Sequence, residues 1–380
     1  MSDPKRVVDP GGLLEYSVVF TDRSLNHMSE RFRGVMRDIS EAMKKTYSAA
    51  ATVLVPGGGT YAMEAVARQF ATDQSCLILR NGWFSYRWSQ ILEAGNISSL
   101  VNVLKARPID SSLHAPFVPP PIDDVVDTIR TQKPQVVFCP HVETSSGMML
   151  PHAYLSSLAD AIHSAGGILI LDCVASGAMW IDMQAIGVDV LITAPQKGWS
   201  GSPCCGVVML SPTAVERMKS TTSTSFASDL HAWHGIMQAY ESGGCGYHAT
   251  MPTDGLLTFR DAIDETVRFG LAEAEAAQRE LGSRVRTLLE NNGMPSVAAE
   301  PFQSPAVIVS YTDDPQIRSG QTFADNGLQI AAGVPLACDE PDTFSTFRIG
   351  LFGLDKLSDI DRTVAQLESA LCSIVARGGE

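Results

Sequence analysis

The 380-residue sequence predicts an α/β protein with a mostly parallel central sheet covered by helices, followed by a smaller C-terminal α+β unit. Three observations predict it. Short apolar runs alternate with amphipathic segments between about residues 51 and 211, and after residue 255 the pattern changes to a long helical stretch. The chain also exceeds the roughly 100–200 residues that one ordinary domain holds. The expected division is a larger unit over 1–255, with an N-terminal arm, and a smaller unit over 256–380.

The apolar runs are ATVLV (51–55), CLILR (76–80), QVVFC (135–139), GILILD (167–172), VDVLIT (188–193) and GVVML (206–210). Each is strand-sized and nearly continuous, the pattern of strands covered on both faces. Helical signals fall at 61–69, 83–92 and 152–165, with Gly- and Pro-rich turns between the segments. Beyond 255, alanines, glutamates and spaced leucines predict helix over 255–292. AVIVSY (306–311) and FRIGL (347–351) read as strands, 316–326 as a helix and 358–376 as an amphipathic closing helix. No internal repeat or low-complexity stretch is visible.

Composition narrows the function classes. Hydrophobic residues make up 45% and charged residues 18%, enough apolar material for a large core. A net charge of −14 and a pI near 5.0 argue against general affinity for nucleic acid or anionic membranes. The N-terminal MSDPKRVVDPGG lacks a hydrophobic signal region, and no apolar run reaches the ~20 residues that span a bilayer, so a cytoplasmic location is expected. Eight cysteines are scattered without a CxxC or a His-rich partner spacing, which predicts reduced thiols and no metal centre. Only Cys245 and Cys338 lie in loop-rich surroundings where reactivity is plausible.

In open α/β sheets ligands bind beyond the carboxyl ends of the strands. The stretches 57–60, 81–84, 143–146, 172–176 and 196–197 all follow strand candidates. The strongest local feature is Asp172, which ends the apolar run ILILD, with Lys197 after the next run in LITAPQKGWSG. A carboxylate and an ammonium at the ends of neighbouring buried strands are rare without partners, because desolvation disfavours both charged forms. Pyridoxal 5′-phosphate (PLP) resolves both: the lysine is consumed as a Schiff base and the aspartate pairs with a protonated pyridine nitrogen. From this pair alone, a helix-capping Asp172 and an exposed Lys197 serve equally well.

The surrounding motifs favour the cofactor. VPGGGTYAMEAV sets glycines, Gly58 and Gly59 among them, and the hydroxyl of Thr60 between a strand and a helix, where backbone N–H groups can face a phosphate. It fits neither the dinucleotide nor the Walker A spacing, and a tight structural turn is the plainer alternative. NGWFSYRW offers rings suited to stacking on a flat cofactor, or to ordinary helix packing. Thr144 and Ser145 in HVETSSGMMLP offer hydroxyls to a ring substituent or to a helix start. Arg348, inside the apolar TFRIGLFG, needs an anionic partner, which a substrate carboxylate or an internal salt bridge would supply.

Taken together, DCVASG…QK with the upstream glycine turn, NGxF, ETSSG, YHATMP and the late RIG resembles the class V aminotransferases of PLP fold type I. The likeness is greatest to the alanine–glyoxylate and 2-aminoethylphosphonate branch and runs from about residue 50 to 365. The resemblance implies that Lys197, after Gln196, carries the cofactor as a Schiff base and that Asp172 pairs with the ring nitrogen. It implies that Val174 packs beneath the ring and Phe84 above it, with Trp83 the fallback. Gly59, Thr60 and Gln196 match the family's phosphate site, and Tyr247 and Thr250 match residues that reach the phosphate across a homodimer interface. Thr144 or Ser145 matches the hydroxyl near the ring's 3′-oxygen, and Arg348 the substrate-carboxylate arginine. One segment departs: the family's early proline-rich substrate stretch is replaced here by LEYSVVFTD, so the pocket wall near 16–21 does not carry over.

The expected reaction is a ping-pong transamination between a small amino donor and a 2-oxo acid such as glyoxylate or pyruvate, with Lys197 moving the proton. A cysteine desulfurase or β-lyase using Cys338 is the alternative on the same scaffold. A catalytically silent relative is the third reading, disfavoured because Lys197, Asp172 and Arg348 are all present.

Overall fold

The structure is a computed structural model that describes residues 8–378, with side-chain environments through residue 374. Residues 1–7 of the segment scanned for a leader lie outside the described residues. Seven strands form the central sheet: β1 (Ala51–Pro56), β2 (Cys76–Arg80), β3 (Val101–Lys105), β4 (Val136–Pro140), β5 (Ile168–Asp172), β6 (Val190–Thr193) and β7 (Cys205–Leu210). Their spatial order is β1–β7–β6–β5–β4–β2–β3. β7 runs antiparallel to both neighbours, and the remaining pairs are parallel.

All six predicted runs are strands. β3 escaped prediction because VNVLK, at the sheet edge, is only half-buried and interrupts its apolar residues with Asn102 and Lys105. Central strands are buried along their length, and the resulting core includes Ile78, Phe138, Ile170, Ile192 and Val208. Trp88 stacks on Phe138 at 4.3 Å between ring centroids, locking a helix onto the sheet.

The helices that cover this sheet include α1 (Glu30–Tyr47), α2 (Gly59–Phe70), α3 (Trp83–Ala94), α4 (Ile122–Gln132), α5 (His152–Ser164) and α6 (Leu230–Glu241). The signals at 61–69, 83–92 and 152–165 correspond to α2, α3 and α5. The helix expected over 255–292 is corrected to two, α7 (Thr253–Phe269) and α8 (Leu271–Asn291). They part at Gly270, whose φ of 102° is reached freely only without a Cβ. Leu256, Phe259 and Ile263 of α7 pack into the central core, whereas Leu281, Val285 and Leu289 of α8 pack into a second one.

That second core is closed by a three-stranded antiparallel sheet, β8 (Val307–Tyr311), β9 (Ala331–Ala332) and β10 (Thr346–Gly350), in the order β8–β10–β9. The closing helix α9 (Ile360–Gly378) adds Leu367 and Leu371. The helix expected over 316–326 is instead two short ones, Pro315–Ser319 and Gln321–Ala324, because Gly320 turns the chain between them. Among the described residues no helix is long and apolar enough to cross a membrane.

Candidate active site

Asp172 ends β5, next to the end of β6, at the rim where the parallel strands finish. Its side chain is enclosed, and burial pushes the carboxyl up to about 6, opposed by the Val174 N–H and by the positive charges of Arg87 and Lys197. Oδ1 accepts from Val174 N at 2.9 Å; Oδ2 has no donor among the described residues. No helix begins here, so helix capping does not account for Asp172. A largely buried carboxylate with one backbone donor fits a protonated ring nitrogen.

Lys197 lies on the loop between β6 and β7. Trp199 pins that loop: its indole is buried and its Nε1 donates to the Tyr47 hydroxyl at 3.1 Å. The Lys197 Nζ sits 4.8 Å from the Phe352 ring centroid and has no carboxylate at ion-pair distance among the described residues. Burial lowers its pKa, the Arg348 charge lowers it further, and Asp172 opposes both. This is a half-buried amine whose surroundings favour the neutral form, unlike an ordinary exposed loop lysine.

Glu143, whose role the sequence reading missed, organises the opposite wall. It is 0% exposed and follows β4 in a short hairpin. Its carboxylate accepts from Phe84 N (3.1 Å), Ser85 N (2.8 Å), the Ser85 hydroxyl (2.7 Å), Ser145 N (3.0 Å) and the Ser145 hydroxyl (2.7 Å). The first turn of α3 is thereby capped from another strand, and negative charge there suits the helix dipole. The Ser145 hydroxyl is committed, since it also accepts from Trp83 N at 2.8 Å. Thr144 is partly exposed, and its hydroxyl makes no hydrogen bond among the described residues.

The same cap presents Phe84 toward the cleft. The guanidiniums of Arg87 and Arg348 lie 5.1 Å and 5.5 Å from its ring centroid. Trp83 turns instead to Tyr86, 5.5 Å between centroids. Gly59 approaches Val174 so closely that a Cβ would come within 2.9 Å of its Cγ2, so the glycine turn and the segment after Asp172 pack directly together. Gly58 precedes α2, whose first turn holds Thr60; the Thr60 hydroxyl accepts from Arg87 Nη1 at 3.0 Å.

Arg348 is central in β10, in register with Val309 and Ala331. Its Nε donates to Ala332 O at 2.9 Å, and among the described residues no carboxylate stands within ion-pair distance. An internal salt bridge therefore does not explain it. Burial lowers its pKa, and the Glu143 charge opposes the shift.

Several other expected residues lie at the surface. Tyr247 and Thr250 bond each other at 3.0 Å on the surface, and Gln196 is exposed. In the divergent N-terminal segment, Tyr16 and Val18 are almost fully exposed. The reactivity considered for Cys338 is corrected: the thiol is buried, donates to Arg80 O at 3.2 Å, and burial pushes its pKa up to about 12. Among the described residues no cluster of acidic, His or Cys side chains is placed to hold a metal.

Comparison with known proteins shows the family and the fold. The family profile described as Aminotransferase class-V matches residues 3–362. A 2-aminoethylphosphonate–pyruvate transaminase of Burkholderia mallei is 30% identical over 85% of this chain and 84% of its own. The alanine–glyoxylate aminotransferase of Oryctolagus cuniculus is 24% identical over 97% of this chain and 90% of its own. The crystal structure of an alanine–glyoxylate aminotransferase from Nostoc sp. superposes with a TM-score of 0.78 at 22% identity, covering 92% of this chain and 88% of its own. A cysteine desulfurase from Thermococcus onnurineus is more distant, with a TM-score of 0.63 at 12% identity, 90% of this chain and 84% of its own. With a family match over residues 3–362 and a relative 30% identical over most of both chains, this protein belongs to the class V aminotransferases and is a PLP-dependent enzyme of amino-group transfer.

Proposed function

We propose that the enzyme moves an amino group from a small amino acid, or an aminophosphonate, to a 2-oxo acid such as glyoxylate or pyruvate. The observation that carries the reading is Asp172, buried at the end of β5 with Val174 N–H its one donor among the described residues, together with the half-buried Lys197 on the loop that leaves the neighbouring strand β6. The names of the relatives support the substrate classes.

When bound, PLP supplies an aldehyde that takes up amino groups and a protonated ring that withdraws electrons from the substrate Cα. Lys197 is the attachment point, and its freed Nζ takes the proton from Cα and returns it to the acceptor carbon. Asp172 keeps the ring nitrogen protonated. Arg348 orients the substrate by forking onto its carboxylate. Phe84 and Val174 would hold the ring, and Gly58, Gly59, Thr60 and Gln196 would take the phosphate. Thr144 serves the ring hydroxyl, with Ser145 acting through Glu143.

Tyr247 and Thr250 complete the phosphate site of a partner subunit in a homodimer, which accounts for their exposure and mutual bond. A cytoplasmic location and a division near 1–255 and 256–380 belong to the same proposal, with α7 packing on the larger core. Borohydride reduction followed by peptide mapping tests the attachment at Lys197. A half-reaction screen, following which donors bleach the visible absorbance, tests the substrates. Label on any other lysine, or no bleaching by any small amino donor, would overturn the reading.

A further inference from the structure

Arg87 has no part in the scheme above. It lies three residues after Phe84 in α3, so the two side chains share a helix face. Its Nη1 donates to the Thr60 hydroxyl at 3.0 Å, and its guanidinium lies 5.1 Å from the Phe84 centroid. It thus bridges the first turns of α2 and α3 at one rim of the sheet. The Arg348 guanidinium lies 5.5 Å from the same Phe84 ring, so Arg87 and Arg348 share one ring as neighbour.

Among the described residues no carboxylate stands within ion-pair distance of Arg87, in a chain with 42 acidic against 28 basic residues. A partly shielded arginine ordinarily finds a counter-charge. One that bonds only a hydroxyl lacks it, and the planar guanidinium matches the oxygens of a phosphate.

We infer that Arg87 binds the 5′-phosphate of the cofactor and holds the Thr60 hydroxyl toward it. This rests on the placement of the phosphate at Gly58, Gly59 and Thr60 proposed above. A net acidic protein needs a local cation to attract a dianion, and helix N–H groups alone supply only partial charge. Arg87 supplies that cation from a helix whose own start is fixed by Glu143.

The test is equilibrium titration of cofactor-free protein with PLP and, in parallel, with pyridoxal, which lacks the phosphate. Arg87→Gln is expected to raise the Kd for PLP by roughly ten- to hundredfold, the loss typical of a charged hydrogen bond, and to leave that for pyridoxal nearly unchanged. Arg87→Lys, which keeps the charge and loses the fork, should fall between. Inorganic phosphate should compete with PLP more weakly in Arg87→Gln than in the unaltered protein. An unchanged Kd for PLP in Arg87→Gln, in protein whose thermal melt remains cooperative, would overturn the inference. So would an equal loss for both ligands, which would assign Arg87 to packing against Phe84. Equal affinity of the unaltered protein for PLP and pyridoxal would overturn the phosphate placement itself, and the inference with it.

Discussion

The backbone N–H of Val174 is the only donor to the Asp172 carboxylate among the described residues, 2.9 Å from Oδ1. A carboxylate enclosed to this degree is ordinarily met by two or more donors or by a cation. Burial with this single donor holds the Asp172 pKa above the ordinary carboxylate value.

Asp172→Asn should therefore separate stability from activity. The folded-state pKa near 6 lies above the ordinary 3.8, so folding takes up a proton and ionisation of Asp172 opposes folding. The penalty is absent below about pH 4, grows between about 4 and 6, and is complete above, on the order of 3 kcal/mol. Cofactor-free Asp172→Asn is expected to melt higher than the unaltered protein at pH 8 and equally at pH 4, while amino transfer falls by orders of magnitude. Equal melting temperatures at pH 8 would contradict the assignment.

Lys197→Ala should lose at least about a thousandfold in turnover, the scale of a removed acid–base group. Its PLP adduct should also resist borohydride trapping. Rapid-quench assay of one half-reaction is the decisive measurement, because slow residual exchange through buffer amines would not appear there.

Arg348→Ala should act mainly on substrate binding. Loss of a forked carboxylate contact costs about 3 kcal/mol, so KM for a 2-oxo acid should rise roughly hundredfold while kcat changes less. Steady-state kinetics across two oxo acids of different side chain would show the same factor for both. A fall confined to kcat would argue for a role in chemistry instead.

Glu143→Gln removes the carboxylate that caps α3 and replaces acceptors with one donor group. With an amide N–H set against the N–H groups of Phe84 and Ser85, a loss of about 2–4 kcal/mol in unfolding free energy is expected. Chemical denaturation measures it. Fluorescence of the bound cofactor should shift as Phe84 loosens, a signal that destabilisation elsewhere would not produce.

Cys338→Ser should leave amino transfer within about twofold, and Cys338 should escape alkylation in the folded protein, because its thiol is buried with a pKa pushed to about 12. Mass mapping after mild iodoacetamide treatment should find label on the exposed Cys372 and not on Cys338. Rapid labelling of Cys338 would reopen the sulfur-transfer alternative.

The strands were legible because burial on both faces leaves an unbroken apolar run that no other local pattern mimics. Edge strand β3 had no such run. Helix α1 carried a readable signal, with Phe32, Val35, Met36, Ile39 and Met43 buried at helical spacing behind the Ser29 cap, yet its charged residues masked it. Breaks at Gly270 and Gly320 were not read because an isolated glycine inside a helical pattern is often tolerated. Asp172 and Lys197 stood out as charges at the ends of apolar runs. Glu143 and Arg87 did not, since each depends on a partner far away in sequence: Ser85 for one, Thr60 for the other.

The reversed direction of β7 bears on where Lys197 is carried. Had β7 run with its neighbours, the chain leaving β6 would have had to cross a face of the sheet and begin again at the far edge. Running backwards, β7 starts where β6 stops, and Cys205 lies beside Pro56 at the end of β1. The connection can then stay short and local, and Lys197 rides on it as a tethered finger over the strand ends. One inverted strand keeps Lys197, the glycine turn and Asp172 at a single rim.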